Sequence, residues 1–310
     1  MAARALPWLM CLWAASASLP ALAARVAVVA DDDLTVYRSV ITGFSIEARA
    51  EIDEYNLRGD VKAGDKIAAE ITGRKPDLLF AVGPKSANLL RQKFPQAPLL
   101  HCMVPNVGQY DLGQPQTTGV GLEPGVKEQF GALKALLPGL KKVGVVFDGR
   151  HSGVKVKEAE ALAGSLGLTV LTSEVQMPED ITGALKGLGA VDAIWTPADS
   201  TILTVTGLDA LGEYSRAQKV PVYGINANHV QRGALLTLAL DYPRVGRQAG
   251  KLANRVLADP KAARGLALQP PEGLDLALNL TVAKRLSLDA VAQAALELAA
   301  EKRYSVQVFK

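Results

Sequence analysis

The sequence predicts an α/β protein made of two doubly wound, parallel-sheet lobes joined by a multi-strand hinge, on three observations. Short Val, Ile, Leu and Ala runs recur without polar alternation, as strands buried on both faces require. Amphipathic stretches of helical length separate most of these runs, giving the βαβ rhythm of doubly wound sheets. The rhythm also runs twice: "RKPDLLFAVGPKSANLL" leading to "APLLHCMVPN" is echoed by "GAVDAIWTPADSTILTV" leading to "VPVYGINANH".

Taken in chain order, the opening residues carry Arg4, an apolar stretch over 6–19 and the small-x-small run Ala21-Leu22-Ala23. That order predicts a secretory signal peptide over residues 1–23, cleaved after Ala23, because the apolar core is short for a membrane span. Met10 stands before Cys11 where lipoprotein processing wants a small residue, so the lipoprotein alternative is set aside. Cys102 is then the single thiol of the mature chain, read as a buried small hydrophobe.

Strands are predicted at 26–30, 78–82, 99–103, 143–147, 169–171, 193–196, 220–224 and 235–240. Helices are predicted at 63–72, 86–93, 126–137, 154–165, 180–188, 201–218 and 242–257, several of them bounded by Gly or Pro. Residues 117–123 read as a crossing between the lobes. The helix at 242–257 and the run "LDLALN" at 274–279 come after the second set and lack strands of their own, so the chain is expected to return to the first lobe and cross again. The boundaries that follow are 24–121 plus 241–266 for lobe 1 and 122–240 plus 267–310 for lobe 2.

A formal charge of +3 across 310 residues, with 21% charged residues of both signs interspersed, gives no basic stripe, and no nucleic-acid partner is expected. The three histidines are too scattered to form a metal-ligand pattern with Cys102, and "DDDLT" at 31–35 lacks the alternate spacing of a calcium loop, so no metal and no cofactor is expected. No nucleophile elbow occurs and no Ser/His/Asp set stands beside strand ends, so the chain is not read as an enzyme.

In open α/β sheets a ligand sits at the carboxyl ends of the strands, and two facing lobes would bring both sets of ends to one cleft. In "AVGPKSANLL", Pro84 removes an N–H and no second glycine precedes Lys85, which excludes a phosphate loop. What remains is Gly83 and a helix start at Ser86, which either begins the helix and no more or holds an anionic group. Asp199, with Ser200 and Thr201 after it, either caps its own helix or pairs with a ligand ammonium; the ligand role is the reading taken. Ser152 opens another helix and is read as a donor to an anion, Asn226 as a donor and acceptor or a turn former, and Asp241 as a second acid or a helix cap.

From Thr117 onward the chain resembles the ABC-transporter substrate-binding proteins of the family with aromatic-amino-acid-binding members. The stretches that carry the resemblance are "TTGVGLE", "LLPGLKKVGVVFD", "AVDAIWTPADSTIL", the long run from "KVPVYGINANHV" to "LADP", and "LALNLTVAKRLSL", with looser matches in lobe 1. The resemblance implies the type I periplasmic binding protein fold with three interlobe crossings. It also implies an exported, periplasmic, monomeric protein that delivers a small polar, amino-acid-like ligand to an inner-membrane ABC permease. The alternative on the same fold is a ligand-sensing or accessory module acting on a membrane receptor. Asp199, Ser200 and Thr201 match the family's cleft-facing loop closely; Pro84, His151 and Asn106-Val107 depart from its pattern and mark a divergent member. On this reading Ser86, Asn106 and Ser152 take an anionic group and Asp199 a cationic one, with Tyr37, Phe147, Trp195, Tyr223 and Tyr242 available to stack on a flat ligand.

Overall fold

The computed structural model describes residues 24–310 apart from 106, 260, 262 and 263, so the signal-peptide residues 1–23 and Asn106 lie outside the described residues. Its first sheet contains β1 (Arg25–Ala30), β2 (Glu51–Asn56), β3 (Leu78–Val82), β4 (Leu99–Cys102) and β5 (Thr117–Gly119) in the order β2-β1-β3-β4-β5. Every pairing in it is parallel. α1 (Thr35–Glu47), α2 (Gly64–Arg74) and α3 (Pro84–Lys93) provide the crossovers. Apart from the edge strand β2, the strands are buried on both faces: Val26, Val28, Phe80 and Leu100 point to one core, Ala27, Val29, Leu79 and Leu99 to the other.

The second sheet is formed by β6 (Lys142–Phe147), β7 (Thr169–Glu174), β8 (Ala193–Trp195), β9 (Val222–Tyr223), β10 (Leu236–Leu240), β11 (Leu274–Asn279) and β12 (Ser305–Phe309) in the order β12-β11-β10-β9-β8-β6-β7. α4 (Val126–Leu136), α5 (Gly149–Ala163), α6 (Ile181–Gly187), α7 (Val205–Gln218) and α8 (Ala227–Gln231) precede β10, and α9 (Tyr242–Ala258) follows it. α10 (Leu280–Arg285) and α11 (Val291–Lys302) lie between the last two strands. This sheet departs from the parallel expectation at one place. β11 runs antiparallel to β10, and β12 follows β11 in parallel.

Three elements absent from the sequence prediction have clear physical causes. β2, "EIDEYN", is an edge strand with half-exposed faces and only two apolar residues in contact with the cores, Ile52 and Tyr55, while Arg25 reaches Glu51 at 2.6 Å and Asp53 at 3.4 Å. β12 is likewise a largely exposed edge. α1 lacks a side-chain cap and is rich in β-branched residues, yet it is helical because it lies directly against α9. A Cβ on Gly43 would fall 2.0 Å from the Pro243 carbonyl oxygen, and one on Gly246 would fall 2.0 Å from that of Val40. The two backbones therefore touch, and Phe44 stacks on Phe80 beneath them with ring centroids 4.3 Å apart. α9 thus belongs to the first sheet although it follows β10 of the second.

The chain consequently passes between the sheets three times: after β5, between β10 and α9, and again before β11. The third pass is hydrogen-bonded to the other two. Gly121 N donates to Gln269 O at 2.8 Å and Gln269 N to Gly119 O at 2.9 Å, while Asp241 N donates to Gly273 O at 3.0 Å. Gln248 of α9 clamps this segment from the side, donating to Pro270 O and accepting from Glu272 N.

His101 on β4 is 1% exposed, its Nδ1 has no partner, and burial holds its pKa down to about 4. His229 is held near about 4 as well, by burial and then by Arg232. A base whose folded pKa is depressed stabilises the fold above its unfolded value of about 6.5 and loses that contribution as pH falls toward the folded one.

Two outcomes are expected. Gly246→Ala should cost about 1–3 kcal/mol in urea unfolding, whereas Gly164→Ala, where a Cβ would meet nothing within 4 Å, should be neutral or stabilising. The urea midpoint should also fall as pH is lowered from 6.5 to 4, and fall less in His101→Asn.

Candidate functional site

The carboxyl ends of β6, β8, β9 and β10 open onto a cleft of ≈ 680 Å³ between the two sheets. Met103, Pro105 and Tyr242 close it from the first lobe, and Leu122, Glu123 and Pro124 come from the first crossing. The second lobe supplies most of the lining, with Gln129, His151, Thr196, Ser200, Asn226, Asn228, Asp275 and Gln307 as its polar members and Leu203, Tyr223, Ile225 and Leu238 among its apolar ones. A mainly apolar recess with a few convergent polar groups is the usual form of a small-molecule site.

Of the residues predicted from sequence, Ser200 and Asn226 line this cleft. Asn226 also caps α8, accepting from His229 N at 2.9 Å. Asn106 lies outside the described residues, and the structure gives the remaining ones partners within the protein. Asp199 is fully buried; its Oδ2 accepts from Asp148 N at 2.7 Å and Ser152 Oγ at 2.5 Å, and its Oδ1 from Thr201 N at 2.9 Å. Thr201 Oγ1 in turn donates to Asp148 Oδ2 at 2.8 Å. Asp148 caps α5 through Arg150 N, and the Arg150 guanidinium beside it holds its carboxyl well below the usual carboxylate range. Asp199, Ser152 and Thr201 thereby sew the loop after β6 to the loop after β8 instead of pointing into the cleft.

The first lobe repeats the arrangement. Asp31, at the end of β1, accepts from Lys85 N at 2.8 Å and Ser86 N at 2.6 Å, so the N-terminus of α3 already holds a carboxylate from the protein itself. Ser86 is fully buried and its Oγ donates to Gly83 O at 3.0 Å. Gly83 has φ +120°, and a Cβ there would lie 2.4 Å from Asp31 Cγ, so only glycine lets the carboxylate reach the helix. Lys85 Nζ donates to Gly59 O at 2.9 Å. Asp241 caps α9 by accepting from Arg244 N and pairs with the Arg244 guanidinium at 3.1 Å, at the second crossing.

Among the candidate aromatics, Tyr223 and Tyr242 line the cleft. Trp195 is fully buried, set edge-on against Phe130 at 5.4 Å, and donates from Nε1 to Gln129 Oε1 at 2.7 Å. Gln129 donates to Pro124 O at 2.7 Å, which ties the first crossing to the strand ends. Tyr223 is 1% exposed and accepts from Leu238 N; burial pushes its phenol pKa up.

Sequence reasoning missed Glu123, Thr196, Asp275 and Gln307. Burial, with Glu158 nearby, pushes the Glu123 carboxyl up against the opposing influence of Lys155. Burial and the neighbouring Asp241 do the same to Asp275. The available signal for Asp275 was a lone acid inside the otherwise apolar "LDLALN". Among the described residues there is no group of three His, Cys, Asp or Glu side chains that could hold a metal, and no helix long and apolar enough to cross a membrane.

Residues 41–302 match the family model for ABC transporter substrate binding proteins. A curated relative, the tyrosine-binding protein of Clostridioides difficile (strain R20291), is 22% identical over 255 residues, covering 79% of this chain and 73% of that protein. Among solved structures, the ligand-free, open structure of a substrate-binding protein with adhesive properties from Clostridium difficile superposes with a TM-score of 0.69 at 19% identity, over 93% of this chain and 100% of that one. An ABC domain in complex with L-Trp from Streptococcus pneumonia gives a TM-score of 0.54 at 22% identity, again over 93% and 100%. These likenesses establish the two-lobed periplasmic-binding-protein architecture predicted from the sequence.

Because Asp199 serves several buried donors at once, Asp199→Ala should lower the stability of the protein by about 3 kcal/mol or more in denaturant titration, leaving those donors unmatched. A variant that unfolds at the wild-type midpoint would show that the loops after β6 and β8 do not depend on this carboxylate.

Proposed function

The chain belongs to the ABC transporter substrate-binding protein family, and from that premise we propose that it is an exported, periplasmic, monomeric binding protein that captures a small amino-acid-like ligand and delivers it to an inner-membrane ABC permease. The cleft between the two sheets is the observation that carries this reading, since strand ends and crossings from both lobes line it. The lobes of the proposal are 24–121 plus 241–266 and 122–240 plus 267–310; the sheet membership of the strands and of α9 supports those limits. Export is supported by the signal-peptide pattern of residues 1–23.

No chemistry is assigned to the site. Binding proteins of this architecture close about their crossings, and ligand contacts to both lobes favour the closed form. In this chain the apolar walls around Tyr223 and Tyr242 suit a ligand with a flat apolar body, and Ser200 and Asn226 supply hydrogen bonds near the rim. The ligands in the names of the relatives, tyrosine and L-Trp, have that form. Asp199, Ser152 and Thr201 act in this proposal as the scaffold that sets the second lobe's loops, and Gly83, Ser86 and Asp31 as its counterpart in the first.

A thermal-shift screen tests the reading. L-Tyrosine or L-tryptophan should raise the melting temperature by several degrees, because a ligand at a hundred times its Kd adds about 2.7 kcal/mol. A shift produced by sugars or nucleotides and by no amino acid would overturn it.

A further inference from the structure

We propose that the second lobe carries a further small-molecule site, between α7 and the end of α8, and that it takes a zwitterion with a short aliphatic body. Arg232 and His229 hold the carboxylate of that ligand and Asp209 its ammonium. The site is separate from the cleft and stands whatever ligand the cleft takes.

The site is a recess of ≈ 280 Å³ lined by Val205, Leu208 and Leu211 of α7, by Val222 of β9 and by Ala234 after α8. Leu211, Val222 and Ala234 are buried while Val205 is 70% exposed, so apolar surface runs from the floor to the mouth. An aliphatic ligand body removes that surface from water.

His229 lines the same recess. It is 7% exposed, and its Nδ1 is buried without a hydrogen-bond partner. The side chain packs against Gly224, where a Cβ would fall 3.3 Å from its Cβ and Cγ, and Asn279 Nδ2 donates to Val230 O at 2.8 Å to hold α8 on β11. A buried polar atom without a partner is costly, and an incoming ligand atom that pairs with it recovers that cost. Burial and Arg232 keep the imidazole neutral at ordinary pH, and the tautomer with its hydrogen on Nδ1 donates to an anion.

Arg232 and Asp209 are the charged members of the lining. Both are exposed, and neither has an ion-pair partner among the described residues, each other included. They come from different walls, Asp209 from α7 and Arg232 from the end of α8. Arg232 is the charge that His229 feels, so guanidinium and imidazole stand together and offer donors to one carboxylate. Asp209 repels a plain anion, but it accepts from an ammonium carried by the same ligand. An acid, a base and an apolar floor in one recess match the three parts of an aliphatic amino acid. α8 is moreover a wall of both sites, since Ala227 and Asn228 line the cleft and His229 and Arg232 line the recess.

The chain has three histidines, and they report three places: His151 the cleft, His229 the recess and His101 the interior of the first sheet. The experiment is NMR titration of the full chain with L-leucine, following the imidazole C–H signals, assigned with His151→Gln and His229→Gln. L-Leucine should move the His229 signal saturably. Arg232→Gln and Asp209→Asn should each weaken that response at least tenfold while retaining the wild-type melting temperature without ligand. 4-Methylpentanoate, which lacks the ammonium, and 3-methylbutylamine, which lacks the carboxylate, should bind at least tenfold more weakly than L-leucine. A His229 signal that stays in place, or that moves with unchanged affinity in either variant, would overturn the site. Movement of the His151 signal alone would put L-leucine in the cleft and overturn it equally. Binding of either half-ligand as tight as that of L-leucine would overturn the zwitterion assignment.

Discussion

The contact between α1 and α9 is the constraint on which the architecture turns. Two helices distant in sequence meet backbone to backbone because Gly43, Gly246 and Gly250 remove the side chains that would keep them apart. Their apolar residues, Val40 and Phe44 on one and Val245, Ala249 and Ala253 on the other, cover one face of the first sheet. That face cannot be closed by residues from its own end of the chain. The polypeptide must leave the second sheet after β10, supply α9 and go back, and this return creates the second and third crossings. The hinge, and with it the cleft, follows from how the first lobe covers its core.

Internal carboxylates impose a second layer of order. Asp31 occupies the N-terminus of α3, and Asp199 binds the backbone of both Asp148 and Thr201. Each satisfies free N–H groups at a helix start or turn, and each joins a loop to one that follows a neighbouring strand. Loops at the carboxyl edge of a sheet are otherwise the mobile part of such folds. Here they form a firm rim around a softer, mostly apolar recess, an arrangement suited to holding a ligand by preformed groups.

The central strands were legible because β1, β3, β4, β6, β8 and β10 are apolar at nearly every position, and burial on both faces leaves no other pattern. β2 was not, since an edge strand is defined by its pairing with β1 and carries only Ile52 and Tyr55 toward the cores, too few for an apolar run. α1 was hidden because its helicity comes from contact with α9, a tertiary effect that local propensity does not contain. At the site, the strand-end rule pointed to loops of which those holding Ser200 and Asn226 border the cleft. It could not say which side chains within them turn inward: Asp199 and Ser86 face protein donors and acceptors, while the unremarkable Thr196 faces the cleft. The direction of β11, which decides where Asp275 stands, depends on the path of the third crossing and has no local signature.

The return of α9 also bears on how the molecule is made. The first sheet has all its strands once Gly119 has been synthesised, but the apolar face beneath α9 stays open until Ala258 has emerged, and the second sheet waits longer still for β11 and β12. Neither lobe is encoded by an uninterrupted stretch, so neither can finish folding as the chain elongates from its N-terminus. Late, non-local docking of this kind is slow and leaves sticky surface exposed meanwhile. The same connectivity that holds the two halves together at the hinge keeps the second sheet of the nascent polypeptide unfinished until β12 has emerged.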